Sequence, residues 1–264
     1  MSKLQKSIKI DGMTCVNCAM NVERAVKKAG IDNAVINFAT RELIIEDYTG
    51  TWCGWCPRVS QAIDLVEDQS DKVFAIAAHI GDGMENNFAT SLKDAFGVTG
   101  YPTAWVNRVS EWTYPEPNNV AQAVNQAQGT TDSGLAVNSL LSGNNISIVV
   151  STGFAQAASG TKLVVFILED EIVASQTNYT SYYGGGSTLP NFVHNHVLRH
   201  SLTNVMGDAI STGVGVDHTS YSLTVPSTVA KSSDSNKARR IHVFPQFRLT
   251  YILKASSTKG KRFL

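Results

Sequence analysis

The sequence predicts an α/β domain, lengthened at its N-terminal side by a short β-α-β-β segment and followed by an all-β sandwich domain. Three observations carry this. Between residues 43 and 128, short apolar runs alternate with stretches of helical spacing, the order expected of a sheet with crossover helices. From about Thr130 the helical spacing fades, and β-prone runs separated by Ser, Thr, Gly and Asn take over. Residues 7–46 carry a strand–helix–strand–strand pattern of their own. The 264 residues are enough for more than one domain, and they divide into segments 1–46, 42–130 and 131–264. The first two segments share the strand at 42–46.

Each element has a local reason. Residues 7–10 alternate as a strand, and Val22, Ala25 and Val26 give residues 18–29 helical spacing that Gly30 ends. Residues 35–38 and 42–46 are strands. Residues 43–48 are apolar and run into the turn Thr49-Gly50-Thr51, after which Val59, Ile63 and Val66, with Leu65 beside them, mark a helix over 57–67. Pro57 suits the first turn of that helix, where a missing N–H costs nothing. A buried strand follows at 72–78, then a helix at 85–96, a hairpin from 102–107 and 111–114, and a helix at 118–128. Later strands are expected at 145–151, 162–168, 171–176, 221–225, 240–244 and 247–254. Residues 182–186 make a flexible loop, and a short helix is expected to begin within 190–202.

Composition excludes several classes. The 22 basic and 22 acidic side chains cancel, whereas a nucleic-acid-binding surface normally shows a basic excess. Charged residues are 17% of the chain, below the ~25% of an average soluble domain. No apolar run is longer than Leu163 to Leu168, far short of the ~20 residues a membrane helix needs. The N-terminal MSKLQKSIKIDGM has no apolar stretch of ~7–15 residues and no small-residue cleavage site, so this start alone predicts a cytosolic chain.

All four cysteines lie in the first 56 residues as two CxxC pairs, Cys15/Cys18 and Cys53/Cys56. A disulfide-stapled fold would spread them along the chain. A single four-thiolate zinc site would need both pairs, but the 34 residues between them exceed the ~15–20 of such sites. A third possibility is small buried hydrophobes. The flanks favour separate jobs. Strand, turn and helix put Cys53 at a helix N-terminus and Cys56 one turn inside it, where amide dipoles favour the Cys53 thiolate and Cys56 can resolve a mixed disulfide. Asp47, on the strand with Ile45 and Thr49 on its face, is a candidate acceptor for the Cys56 proton. Cys15, in a loop, and Cys18, at a helix start, offer two soft thiolates that suit Cu(I), with zinc a weaker alternative.

His194, His196 and His200 invite a metal reading, and the last two would share a helical face. Val197 stands where the HExxH pattern needs its Glu, and Arg199 disfavours a cation, so these histidines are read as structuring a loop–sandwich junction.

WCGWC after a strand, with Gly100-Tyr101-Pro102-Thr103 later, resembles the thioredoxin fold. The resemblance implies that Pro102 is a cis-proline facing the CxxC and that Asp47 is the buried acid. The intervening dipeptide is Gly-Trp rather than Gly-Pro. EDYTGTWCGWCPRV, AAHIGDGM, GYPTAWVNR, LEDEIVASQ and VHNHVLRHSLT together resemble the Omp28-related outer membrane proteins over residues 42–250. That implies an envelope protein with a thioredoxin-like domain followed by a β-rich one. GMTCVNCAMNVERAV and GIDNAVINFATRELIIE resemble the heavy-metal-associated domain, which implies Cys15 and Cys18 as ligands and Met13 packed below their loop. The second helix and fourth strand of that β-α-β-β-α-β unit are missing, leaving a truncated ferredoxin-like segment.

The expected function is thiol–disulfide exchange on a protein substrate. Cys53 is the nucleophile, Cys56 resolves, Asp47 moves a proton, Pro102 faces the substrate, and no cofactor is required. The alternatives are a Cu(I) or zinc carrier using Cys15 and Cys18, and a surface interaction protein whose WCGWC is an inert disulfide.

Overall fold

The computed structural model describes residues 43–70, 73–127, 133–142, 145–154, 156–210, 213–224 and 239–246, together with Lys28. The elements expected within residues 1–41, with Cys15 and Cys18, and the strand at 247–254 lie outside the described residues.

The molecule is β-rich and organised on one mixed sheet. Strands β1 (Leu43–Thr49) and β2 (Val73–His79) are parallel, with α1 (Pro57–Glu67) between them in sequence. After α2 (Asn87–Ala95), β3 (Thr103–Val106) pairs antiparallel with the other edge of β1, and β4 (Ser110–Glu111) pairs with β3. A 3₁₀ turn (Glu116–Asn118) and α3 (Val120–Gln126) complete this half. Both edges of β1 are thus occupied, so its first residues, the strand read as shared with the N-terminal segment, belong to this sheet.

Alternation along β1 sets the two faces. Leu43 and Ile45 pack with Val59, Ala62, Ile63 and Val66 of α1 and with Trp112. Ile44 and Tyr48 pack with Ala89 and Leu92 of α2 on the opposite face. All seven residues of β1 are buried, including Glu46 and Asp47. A parallel-paired central strand covered by helices on both faces has no solvent side.

The remaining strands are β5 (Ser133–Ser142), β6 (Asn145–Phe154), β7 (Lys162–Glu169), β8 (Ile172–Thr177), β9 (Thr188–His194), β10 (Val197–Ser201), β11 (Asp208–Ala209), β12 (Gly215–Thr224) and β13 (Arg239–Gln246). They do not stand apart as the expected sandwich. The main sheet runs β11-β7-β10-β2-β1-β3-β4, with β13 also on β7, so the second half extends the first half's sheet. The junction is β10, parallel to β2 at Val197↔Ala77 and antiparallel to β7.

The sheet-on-sheet packing that was expected exists, but β7 is shared. Its Val164, Phe166 and Leu168 join the α2 cluster, while Leu163 and Val165 join Leu135, Ile146, Ile148 and Val150 of the three-stranded β12-β6-β5 sheet. A strand presents successive side chains to opposite faces, so the fully apolar run at 163–168 serves two cores.

The short helix expected within 190–202 is instead the pair β9 and β10, joined where His196 has a φ of 60°. Pro190 and the β-branched Val193 and Val197 disfavour a helix. The deciding factor is tertiary, because β2 and β7 satisfy the β10 backbone from both sides.

Candidate functional site

Beyond β1 the chain turns through Gly50 to Pro57. The Cys53 amide donates to the Gly50 carbonyl at 3.0 Å and the Cys56 amide to the Cys53 carbonyl at 3.2 Å. Cys53 and Cys56 form a disulfide. Helix α1 begins at Pro57 with Cys56 as its N-cap residue. Cys53 therefore lies in the turn before the helix, and Cys56 caps it rather than sitting one turn inside. Proline, lacking an N–H, is at home in the first helical position and sets this register.

Both cysteines are buried, at 4% and 1% exposure, while Trp52 and Trp55 beside them are about half exposed. The Trp52 ring meets Tyr101 edge-on at 5.4 Å, and the Tyr101–Pro102 peptide is cis. Trp52 Nε1 donates to the Ile80 carbonyl at 2.8 Å. A Cβ on Gly50 or Gly81 would lie 2.7 or 2.8 Å from that nitrogen, and Gly81 has a φ of 74°, so these two glycines admit the indole.

A segment from the second half binds the same turn. Thr177 N donates to Thr51 O at 2.8 Å, and Tyr179 N to Gly54 O at 2.7 Å. Gln176 Nε2 reaches the Cys53 carbonyl at 2.9 Å and the Gly50 carbonyl at 3.3 Å. The Tyr179 ring packs where a Gly54 side chain would be, 2.4 Å from an added Cβ, and meets Trp55 edge-on at 5.8 Å. Buried Asn178 anchors the segment through Thr180 and the Gly186 carbonyl. Local sequence reasoning missed Gln176 and Tyr179, since they act on residues more than 120 positions away.

Asp82 was also missed, although the Asp82-Gly83 turn signal was visible. Its carboxylate accepts from Thr51 N, Met84 N and His79 Nδ1, each at 2.8 Å. Burial opposes its ionisation, but the His79 bond and charge and these amides outweigh it, holding Asp82 down at about 2. It ties the turn before Cys53 to the end of β2.

Asp47 is 3% exposed and lies on the α1 face, as alternation predicts. Its Oδ1 has no hydrogen-bond partner among the described residues. Burial raises its pKa well above the usual carboxylate range, Glu116 adds to this, and Arg58 opposes it. Arg58 is itself paired with buried Glu116 and lies 4.6 Å over the Tyr114 ring.

A cavity of about 520 Å³ opens beside Asp47. Its floor is β1 and β2, its sides are α1 and the β8–β9 hairpin, and Tyr183 stands at the rim with its hydroxyl donating to Asp64 at 2.6 Å. Tyr183 belongs to the stretch expected to be a flexible loop; here it sits in a turn with a φ of 55°, held to α1 by that bond.

His196 and His200 do not share a helical face. His194 ends β9, His196 is in the connection and His200 is in β10. Among the described residues, no group of three or more His, Cys, Asp or Glu is arranged to hold a metal ion. His194 is pushed down to about 4, chiefly by burial and then by the neighbouring His79. The unfolded chain, with an imidazole near ~6.5, then takes up a proton that the folded chain refuses between about pH 6.5 and 4. Stability is expected to fall as pH falls through that window, and the Asp82 contribution to go only below about pH 4. Urea unfolding across pH should show both, and His194→Gln should remove the upper slope alone.

These features define a class: a β-rich protein on a mixed sheet, with a disulfide in the turn that follows a central strand. The chain belongs to the outer membrane protein Omp28 family, whose model matches residues 89–237. That match begins after the disulfide turn and is narrower than the resemblance read over 42–250. A heavy-metal-associated domain model matches residues 7–48, the fragment carrying Cys15 and Cys18. Among solved structures the chain is similar to HBP35 of Porphyromonas gingivalis, with a TM-score of 0.57 and 17% identity over 85% of this chain and 79% of that one. At that identity the likeness speaks for the fold alone. No curated protein matches. Among the described residues, no helix is long and apolar enough to cross a membrane.

Proposed function

We propose that this is an envelope thiol–disulfide oxidoreductase acting on protein thiols and disulfides, with residues 42–130 as a thioredoxin-like unit. One observation carries the reading: a Cys53–Cys56 disulfide in the turn between β1 and α1, beside the cis Tyr101–Pro102 peptide through the Trp52–Tyr101 contact. In the reduced protein the Cys53 thiolate attacks a substrate disulfide, forming a mixed disulfide and releasing one substrate thiolate. Cys56 then attacks the Cys53 sulfur, restoring the internal disulfide and releasing the second substrate thiol. The substrate gains the two electrons that the cysteines lose. Asp47 takes the Cys56 proton, the α1 N-terminus favours the Cys53 thiolate, and Pro102 faces the substrate.

The test combines the pH dependence of Cys53 alkylation with insulin reduction. The expected result is a Cys53 pKa below the free value of ~8.5 and turnover that Cys53→Ser abolishes. A value near ~8.5 with no turnover would instead establish the inert disulfide of a surface interaction protein, a reading that the burial of both cysteines favours.

The match over residues 7–48 supports a second, compatible role in which Cys15 and Cys18 hold Cu(I), with zinc the weaker fit. Copper stoichiometry should fall to background in the Cys15→Ser/Cys18→Ser chain and persist in Cys53→Ser/Cys56→Ser. Equal copper in both would remove this role. Copper binding without insulin turnover would leave a metal carrier.

A further inference from the structure

The cavity beside Asp47 has an electrostatic signature that reaches beyond the proton transfer assigned to Asp47 in thiol exchange. Two of its buried polar side chains, Asp47 and His194, are 3% and 5% exposed. Asp47 Oδ1 and His194 Nε2 both lack hydrogen-bond partners among the described residues. The other His194 nitrogen bonds the Ala174 backbone, which leaves Nε2 as an acceptor in the neutral ring. Buried acceptors without partners are costly, and a cavity wide enough for a ligand is where a bound donor would relieve them.

The lining also selects by charge. Two carboxyl groups, Asp47 from β1 and Asp64 from α1, face it, and no Lys or Arg lines it. The Arg58 guanidinium near Asp47 is already paired with Glu116. An anion entering would find carboxyl groups and no Lys or Arg side chain to pair with. Thr49, Ser60, Gln176, Asn191 and Asn195 add uncharged polar groups to the wall, and Ile63, Leu189 and Phe192 give it an apolar part, with Phe192 packed between Tyr183 and His194 at centroid distances of 5.0 and 4.9 Å. Ring faces attract ammonium groups and also accommodate a hydrocarbon body. The volume, about 520 Å³, falls in the ~300–1,000 Å³ range of small-molecule sites.

We propose that this cavity binds a small primary amine with an aromatic or hydrocarbon body. The ammonium donates towards Asp47 and His194, and the body lies against Ile63, Leu189 and Phe192. The proposal does not rest on the redox reading, because it is tested by binding to the oxidised chain.

The experiment is calorimetric titration of the full oxidised chain at pH 7 with three probes of one shape: 3-phenylpropylamine, 3-phenylpropanol and 3-phenylpropionate. The amine is expected to bind at least tenfold more tightly than the alcohol, and the carboxylate to give no binding heat. Asp47→Asn should weaken the amine at least tenfold. Leu189→Trp, which fills the cavity away from the disulfide turn, should abolish binding, and it decides the matter if the Asp47 variant does not fold. Equal affinity for amine and alcohol, undiminished amine binding in Leu189→Trp, or no binding by any probe would overturn the proposal. Loss of insulin turnover would not touch it.

Discussion

Arg108→Ala is expected to destabilise the protein by about 3–5 kcal/mol, the cost of leaving a buried carboxylate without its partner. Glu46 is wholly buried in the central strand, and Arg108 contacts it through Nε at 2.8 Å and Nη2 at 2.6 Å. The same guanidinium donates to the Val205 carbonyl at 2.9 Å and lies 5.7 and 5.9 Å from the Phe96 and Phe166 rings. One side chain from the β3–β4 turn thus joins the central strand to a loop of the second half. Burial already raises the Glu46 pKa, and Arg108 opposes that rise. Without Arg108 the folded-state pKa climbs further above the unfolded value. A raised carboxyl pKa means that stability is retained at low pH and lost as pH rises through it. The deficit of Arg108→Ala should therefore be larger at pH 8 than at pH 5 in urea unfolding. Adding Glu46→Gln should recover part of it. A deficit under 1 kcal/mol at both pH values would show that this pair does not hold the halves together.

Asp47→Asn is expected to slow insulin reduction about 100-fold while raising stability. General-base assistance is typically worth ~10²–10⁴ in rate, and the proposed base is lost. Burial and Glu116 disfavour the Asp47 carboxylate in the folded state. Its folded pKa lies above the unfolded value, so the wild type loses stability as pH rises, whereas asparagine does not. The stability gain should accordingly grow with pH. Single-turnover measurements should place the slowing in release of the mixed disulfide, with Cys53 alkylation little changed. Unchanged turnover in a folded Asp47→Asn chain would remove Asp47 from the reaction and leave it a structural acid.

The first half was largely readable because its signals are local. Helical spacing placed the helix at 57–67, where α1 lies, and alternation put Asp47 on one face with Ile45, the face that the structure packs against α1. The cis Tyr101–Pro102 peptide has no local signature and came from the family resemblance alone. The second half was read less well. Residues 133–142 form β5 without having been expected as a strand, and 190–202 hold two strands in place of a helix. Short apolar runs do not reveal which strand will satisfy their backbone. For β10 the answer lay in β2, more than 110 residues earlier.

Alone, the sequence determined the CxxC turn, the strand–helix order around it and the alternation that buries Asp47, all of which depend on neighbours a few residues apart. Tertiary structure decided the rest: β7 and β10 completing the first sheet, Gln176 and Tyr179 gripping the Cys53 turn, Asp82 fixing it from below, and the cavity beneath the hairpin. Hydrogen bonds and closed volumes between distant segments exist only once the chain has met itself. Their partners are chosen by unsatisfied backbone and buried charge, which no local periodicity encodes.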